Sequence, residues 1–211
     1  MGLPRIASYA LPTAAELPKP KGPWTVEAER AALLIHDMQR YFVSVFDRQT
    51  APIAPAIANM ARLAAHCRGL GIPVFYTAQR VNQDRRDRGL QADLWGPGMT
   101  DAAEHQPIVA ELSPGPDDFV LTKHRYSAFQ RSNLERLMRV RGRDQLIVTG
   151  IYAHIGCLAT AMEAFQRDIE VFFAADALAD FSRDEHEMAV KWVAGRCGVP
   201  MTTGQLCERL A

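Results

Sequence analysis

The chain has 211 residues, a length that fits one large domain with a sizeable core better than two domains. Hydrophobic residues make up 48% and charged residues 23%, as in ordinary soluble globular proteins. Because 24 Lys and Arg residues balance 24 Asp and Glu residues, the net charge offers no attraction for nucleic acid or a membrane surface, and we expect neither partner.

The N-terminal segment, residues 1–25, is polar and rich in proline, which predicts an extended arm lying over a single domain of residues 26–211. It lacks the continuous apolar core of a signal peptide, and no stretch approaches the roughly 18 apolar residues of a membrane span. We therefore expect a cytoplasmic protein. Four cysteines without a CxxC pair indicate buried reduced thiols rather than a zinc site.

Short apolar runs, typical of strands covered on both faces, alternate with amphipathic segments along the rest of the chain. In chain order, the pattern predicts strand Ala31–Ile35, helix Pro52–Arg68, strand Pro73–Thr77, strand Asp118–Thr122, helix Ser132–Val140, strand Gln145–Thr149, helix Gly156–Gln166, strand Glu170–Ala174, helix Asp184–Ala194, a short strand near Val199–Thr202 and a terminal helix. This alternation predicts a three-layer α/β/α fold, a Rossmann-like parallel sheet of about six strands with helices on both faces.

Two further local signals stand out. Ser132 and Glu135 have the spacing of a capping box at the start of their helix, and Gly142 is expected to stop that helix. The segment Arg80–Pro116 interrupts the alternation, being long, polar and rich in glycine and proline. A loop this long in a compact domain is usually functional, so we predict a lid or a subunit contact.

Ligands of open parallel sheets bind beyond the carboxyl ends of the strands, so the residues after each predicted strand are candidates for chemistry. These residues are HDMQ at 36–39, AQR at 78–80, KHRY at 123–126 and GIYAHIGC at 150–157. One acid, one base, several donors and a glycine-rich helix start are thereby expected to converge on one crevice.

The charged candidates each have a structural interpretation as well. A carboxylate such as Asp37, half buried at a strand end, has a raised pKa unless a cation such as Lys123 offsets it. Asp37 could equally form a structural ion pair or cap a turn, and Lys123 could be a solvated strand end. Arg85, Arg86 and Arg88 could bind a carboxylate, but a solvated loop face is favoured for the first two.

Gly156 and Cys157 open a helix directly after a strand, where backbone N–H groups can hold an anion and a thiol is activated. Cys157 is therefore either a candidate nucleophile or a small core residue. For His36 and His154, local hydrogen bonding is favoured over metal ligation.

Taken together, these strings resemble the isochorismatases, part of the larger isochorismatase-like (cysteine) hydrolase superfamily. The resemblance covers almost the whole chain, with the motifs in the right order and at closely similar spacing. It rests on SYALP at 8–12, HDMQ at 36–39, YTAQ at 76–79, WGPG at 95–98, LTKHRYSAF at 121–129, GIYAHIGC at 150–157 and DALADFSRDEH at 176–186.

The resemblance implies hydrolysis of the vinyl ether of isochorismate to pyruvate and 2,3-dihydro-2,3-dihydroxybenzoate, with no metal or organic cofactor. It implies Asp37 as the general acid that protonates carbon. The pKa of Asp37 would have to be raised above the ordinary value of about 3.9, and the carboxylates of isochorismate itself would help to raise it. Lys123 would hydrogen-bond the ether oxygen or enol-pyruvyl group and orient Asp37. A cation so close to Asp37 opposes the raised pKa, so the two implied roles conflict.

In the superfamily's amidohydrolases the helix start carries the cysteine of an Asp–Lys–Cys triad, and the resemblance aligns Gly156 with that position. Cys157 lies one residue further, about 100° around a helix, and is predicted to point away from the crevice. The implied substrate contacts are Gln79 and the Gly156 N–H for the pyruvyl carboxylate, Arg88 for the ring carboxylate, Trp95 to exclude water, Tyr126, Tyr152 and the apolar wall of Phe42.

Three alternatives remain open: hydrolysis of the 2-amino-2-deoxy analogue of isochorismate in a phenazine-type pathway, a cysteine amidohydrolase such as a nicotinamidase, and an interaction module that has kept the fold. The HIGC and DALADFSRDEH strings favour the siderophore (dihydroxybenzoate) branch. The resemblance also implies a homodimer or larger homo-oligomer, with the arm and the loop Arg80–Pro116 at the contact.

Overall fold

The computed structural model describes residues 5–211, so residues 1–4 of the predicted arm lie outside the described part. Six strands form one sheet in the order β3-β2-β1-β4-β5-β6, and every neighbouring pair is parallel. The strands are β1 (Ala31–His36), β2 (Val74–Ala78), β3 (Phe119–Thr122), β4 (Gln145–Ile151), β5 (Glu170–Ala179) and β6 (Gly198–Met201). This is the predicted Rossmann-like sheet, and its strand order reverses between β1 and β4, where such sheets bind ligands.

Helices cover both faces of the sheet, as predicted. The main helices are α2 (Ile53–Gly69) and α8 (Thr203–Leu210) on one face, and α5 (Leu134–Arg139), α6 (Leu158–Phe165) and α7 (Arg183–Arg196) on the other. Along β1, Leu33 and Ile35 belong to one apolar core, whereas Ala32 and Leu34 belong to the other. Because both faces are buried, β1 reads as a continuous apolar run rather than an alternating one.

The long loop contains two short helices, α3 (Arg85–Arg88) and α4 (Gln91–Trp95), and a 3₁₀ turn at Ala110–Leu112. Its returning part runs beside the short helix α1 (Arg40–Val43) that follows β1: the Arg40 N–H donates to the Pro107 carbonyl at 2.9 Å. The loop is thereby held over the carboxyl end of the sheet.

The predicted capping box at Ser132 is wrong. Helix α5 begins at Leu134, and the Ser132 hydroxyl donates to the Ala128 carbonyl at 2.6 Å while accepting from the Leu134 N–H. The Glu135 carboxylate instead pairs with the guanidinium of Arg167, a charge-assisted interaction. Helix α8 carries a capping box that the sequence analysis did not identify.

Strand β5 extends five residues beyond its predicted end at Ala174. Its pairing with β4 continues past a register shift, so that Gly150 pairs with Leu178. The polar Asp176 that interrupts the apolar run accepts a hydrogen bond from the Thr203 N–H at 2.6 Å, at the start of α8. The strand therefore continues through the polar Asp176, whose side chain binds the start of α8.

The predicted helix at Gly156–Gln166 begins earlier, with a π-helical turn at Ala153–Cys157 that leads into α6. Such turns are rare and frequently mark functional sites.

The described part of the N-terminal segment contacts the domain along its length. The Ile6 side chain is buried in the core, the Tyr9 hydroxyl accepts from the Asp180 N–H at 2.7 Å, and the Lys21 N–H donates to Ala194 at 2.9 Å. Within residues 5–211, none of the helices has the length and apolar character needed to cross a membrane.

Candidate active site

A cavity opens at the carboxyl ends of the central strands, where the strand order reverses. The structure brings all nine residues predicted for the site together on its wall. They are Asp37, Phe42, Gln79, Arg88, Trp95, Lys123, Tyr126, Tyr152 and Gly156. Six further residues line it without having been assigned a role there. His36, Ile151 and Ile155 belong to strings predicted to converge on the crevice, whereas Tyr41, Gln91 and Phe181 do not.

Asp37 and Lys123 form a buried ion pair at the floor of the cavity. The Lys123 Nζ lies 2.7 Å from Asp37 Oδ2, and the two side chains are only 2% and 7% exposed. On the other oxygen, the Thr77 hydroxyl donates to Oδ1 at 2.7 Å and itself accepts from the Asp37 N–H at 3.1 Å. Asp37 has a φ of 53°, a left-handed conformation that few non-glycine residues adopt and that functional sites often hold.

The surroundings of Asp37 set its charge. Burial raises the pKa of its carboxyl group, but the Lys123 ammonium and the hydrogen bonds from Lys123 and Thr77 together outweigh burial, so the pKa lies below the ordinary value. With these partners alone, Asp37 is a carboxylate at neutral pH. The protein's own groups therefore do not supply the raised pKa that the acid role of Asp37 requires.

Arg88 is a second buried cation in the wall of the cavity, with only 6% of its surface exposed. Its Nε donates to the Gly96 carbonyl at 2.6 Å, and Nη1 reaches Gln79 Oε1 at 3.5 Å. A Cβ at Gly98 would lie 2.8 Å from Nη1, so the WGPG string provides both an acceptor and the space for this guanidinium. Across residues 5–211, no carboxylate lies within 4.0 Å of Arg88. A buried, uncompensated guanidinium is costly unless an anion joins it.

The neighbouring arginines differ from Arg88, as predicted. Arg86 is almost fully exposed, and the half-exposed Arg85 pairs with Asp93 at 2.6 Å on the outer surface of the loop.

Gln79 is held in place by Gln39, a residue that the sequence analysis did not select. The fully buried Gln39 amide accepts from the Gln79 N–H at 2.7 Å and donates to the Gln79 carbonyl at 2.9 Å. The same amide donates to Gln106 in the long loop at 2.7 Å. A fully satisfied buried amide rigidifies its neighbours, so Gln39 couples the end of β2 to the loop over the cavity. Its position in the HDMQ string was the only sequence signal.

Aromatic side chains form the remaining wall. Trp95 donates through Nε1 to the Tyr126 hydroxyl at 2.7 Å, which leaves the Tyr126 proton free for a ligand. The Tyr152 hydroxyl donates to the Phe42 carbonyl at 2.8 Å, so Tyr152 presents its ring rather than its hydroxyl. Phe181, which the sequence analysis missed, packs against Tyr152 with ring centroids 4.4 Å apart.

His36 and His154 both act as local hydrogen-bonding residues. The His36 ring is fully buried, and burial lowers its pKa to about 4, so the ring is neutral at pH 7. His154 Nδ1 lies 2.6 Å from Asp180 Oδ1, next to Glu185. These three groups are close enough to one another to hold a metal. The Asp180 oxygens, however, already accept from the His154 and Phe181 N–H groups at 2.6 and 2.9 Å.

Cys157 points away from the cavity, as predicted from its position around the helix. Its thiol is fully buried in the core on the other side of the turn, 3.9 Å from the Thr149 carbonyl. Burial raises the pKa of the thiol well above its usual value, the opposite of activation. Within residues 5–211, no cysteine lines the cavity, which removes the support for a thiol nucleophile.

Comparisons with known proteins agree with this geometry. The isochorismatase domain family model matches residues 31–205. The chain is 51% identical over 210 residues to the isochorismatase of Bacillus subtilis, covering 100% of this chain and 67% of that protein. It is 52% identical over 206 residues to enterobactin synthase component B of Escherichia coli, covering 98% and 72%.

Two further matches differ in kind. Phenazine biosynthesis protein PhzD1 of Pseudomonas aeruginosa is 46% identical over 207 residues, covering 98% of this chain and 99% of that protein. Among solved structures, a cysteine hydrolase from Pseudomonas syringae pv. phaseolicola superposes with a TM-score of 0.81 over 91% of this chain and 96% of that one. At 23% identity, this last likeness shows the fold alone.

Proposed function

The chain belongs to the isochorismatase family, and from that premise we propose that it hydrolyses the vinyl ether of isochorismate to pyruvate and 2,3-dihydro-2,3-dihydroxybenzoate. The observation that carries the proposal is the pairing of an uncompensated guanidinium, Arg88, with a buried Asp37–Lys123 pair in one cavity. Isochorismate carries two carboxylates and an enol ether, so it needs an anion receptor and a proton donor in the same place. The similarity of the chain to the proteins from Bacillus subtilis and Escherichia coli supports this assignment.

The charge of the cavity explains how a carboxylate can become a general acid. Arg88 and Lys123 are cationic and Asp37 is anionic, so the cavity has one net positive charge. A dianionic substrate changes this to one net negative charge in a site shielded from water. A proton on Asp37 removes the excess, because nearby carboxylates raise the pKa of a buried acid. The substrate, rather than the protein alone, thus supplies the raised pKa.

The chemistry then proceeds in three steps. Asp37 transfers its proton to the terminal methylene carbon, which leaves an oxocarbenium ion at the former enol carbon. Water adds to that carbon and gives its proton to the Asp37 carboxylate, forming a hemiketal. The bond between the hemiketal carbon and the ether oxygen then breaks, and the proton of the hemiketal hydroxyl is passed to the ether oxygen. This gives the ketone of pyruvate and the free ring hydroxyl. No bond to the enzyme forms at any step.

The other residues bind, orient and exclude water. Lys123 stabilises the carboxylate that proton transfer leaves on Asp37. When the hemiketal later collapses, Lys123 donates a hydrogen bond to the departing ether oxygen, which then gains negative charge. We assign the pyruvyl carboxylate to Gln79 and the Gly156 N–H, and the ring carboxylate to Arg88. The aromatic wall of Trp95 and the residues around it keeps bulk water from the cation until one molecule adds.

A second substrate has its own support. The match to PhzD1 covers both chains almost completely, and the catalytic pair would be the same for the 2-amino-2-deoxy analogue of isochorismate. An ammonium group on that analogue cancels one of its negative charges. Binding of the analogue would then raise the pKa of Asp37 less than binding of isochorismate does. We therefore expect slower turnover of the analogue.

The deciding experiment is pyruvate release from isochorismate, its 2-amino analogue and chorismate, measured side by side with lactate dehydrogenase. We expect the highest kcat/KM with isochorismate, and one solvent deuterium in the methyl group when the reaction is run in D₂O. Asp37→Asn should lower kcat by about 10²–10⁴-fold, the usual contribution of a general acid. Absence of pyruvate from isochorismate, or a methyl group without solvent deuterium, would overturn the proposal.

We also propose that the chain forms a homo-oligomer through the long loop. Leu90 and Leu94 in this loop are 79% and 64% exposed, large apolar side chains that a partner copy would cover. Light scattering should give a mass of at least twice the 23.4 kDa of the chain, and Leu90→Lys with Leu94→Lys should reduce it to that of one chain. A monomeric parent protein would contradict this assignment.

A further inference from the structure

Gly156 lies at the floor of the cavity, and a side chain at this position would point at the imidazole of His36. A Cβ built on Gly156 would lie 2.3 Å from Cε1 of His36, 3.0 Å from Nε2 and 3.2 Å from Nδ1. These distances are far inside van der Waals contact, so the imidazole and any side chain at position 156 exclude each other. The backbone of Gly156 does not adopt a positive φ, so contact with His36, and not backbone torsion, is what requires glycine here.

The His36 ring cannot turn aside to make room. Its Nδ1 lies 2.9 Å from the Ile151 carbonyl and its Nε2 lies 3.2 Å from the Tyr126 carbonyl, and the ring is fully buried. Ile151 is the last residue of β4, and Tyr126 lies in the segment that follows β3. The backbone of His36 is equally confined, because a Cβ at Gly150 would lie 2.2 Å from the His36 carbonyl oxygen.

A side chain at position 156 would lie among the residues that line the cavity. This position lies in the first turns after β4, in the wall that also contains Asp37 and Lys123. A thiol at such a helix start, beside a cation, has a lowered pKa and is a strong nucleophile. The neighbouring Cys157 does not substitute for it, because its thiol is buried on the other side of the turn.

We propose that His36 is a specificity-determining residue: its imidazole occupies the space of a side chain at position 156 and so confines the cavity to hydrolysis without a covalent enzyme intermediate. The proposal deepens the proposed function, since it identifies the residue that commits the Asp37–Lys123 pair to direct protonation of the substrate. Removing the imidazole opens the floor of the cavity to a nucleophilic side chain.

The test compares one substitution in two backgrounds. In the parent protein, Gly156→Cys should lower Tm by about 3–10 °C, the range expected when a well-packed site of a chain this size is overpacked. In the His36→Ala background, the same substitution should cost less than about 2 °C, because the space is already open. Gly195→Cys is the matched control, since a Cβ there meets nothing within 4 Å, and it should leave Tm unchanged.

A chemical readout accompanies the thermal one. With p-nitrophenyl acetate as the probe, the thiol introduced into the double variant should acquire one acetyl group at pH 7, located by peptide mass spectrometry. The native Cys157 should acquire none. The acetyl group replaces the thiol proton as p-nitrophenolate leaves, so no further reagent is required.

Equal costs of Gly156→Cys in the two backgrounds, or equally fast acetylation with and without His36, would overturn the proposal. If Gly156→Cys does not fold in the parent, Gly156→Ala provides the same comparison with a single methyl group. Neither readout uses pyruvate release. A failed vinyl-ether assay therefore leaves this test intact, and a failed test leaves the proposed reaction intact.

Discussion

The ion pair at the floor of the cavity makes a prediction about stability that can be worked out from its geometry. Lys123→Met removes the ammonium 2.7 Å from Asp37 Oδ2 but keeps the volume of the side chain. Asp37 is then a carboxylate that is 5% exposed, with a short hydrogen bond only from Thr77. Breaking a buried pair by removing one partner costs about 3–5 kcal/mol. For a chain of this size, that corresponds to a fall in Tm of about 6–20 °C.

The loss of stability in Lys123→Met should depend on pH. In the parent protein the pKa of Asp37 is lowered by its surroundings, so the pair stabilises the fold above the ordinary pKa of 3.8 and that stability is lost as pH falls through the lowered pKa. In Lys123→Met, burial dominates and raises the pKa of Asp37. The destabilisation is then largest at neutral pH and diminishes as pH falls and Asp37 takes up a proton.

Urea denaturation between pH 4 and pH 7 measures both effects. The difference in unfolding free energy between the parent and Lys123→Met should narrow as pH falls. The control is Lys123→Met combined with Asp37→Asn, which leaves no charge and should be more stable than Lys123→Met alone at pH 7. A difference that does not vary with pH, or a double variant no more stable than the single one, would refute the account of the pair.

Three further outcomes are expected. Arg88→Met should lower kcat/KM for isochorismate by about 10–100-fold, the loss of charge-assisted hydrogen bonds, whereas the exposed Arg85→Met should leave it unchanged; equal effects of the two would contradict the assigned anion site. The kcat of the parent should fall as pH rises, since the substrate-bound enzyme must hold a proton on Asp37; a kcat that rises with pH would indicate a base instead. Cys157→Ala should keep pyruvate release within about twofold, because its thiol faces the core; lost activity in a folded variant would restore the thiol nucleophile.

Much of the architecture and the composition of the site was accessible from the sequence. The continuous apolar runs predicted all six strands, because a parallel sheet covered on both faces requires apolar residues at consecutive positions. The order of chemical residues after those strands, together with the family resemblance, placed nine residues in one cavity. The orientation of Cys157 followed from the resemblance, which aligned Gly156 with the cavity-facing position, together with the 100° rotation per helical residue.

Only the tertiary structure decided the properties that depend on distances between remote segments. Asp37 and Lys123 are 86 positions apart, and whether burial or the ammonium controls the pKa of Asp37 depends on their separation of 2.7 Å. The role of Gln39 depends on the backbone of Gln79 and of Gln106, which belong to distant segments of the chain. Glu135 does not form its predicted capping box but pairs with Arg167, which lies just beyond the end of α6 and 32 positions along the chain. A local pattern records which residues are buried, but the partner that each buried polar group meets is chosen when separate strands and helices come together.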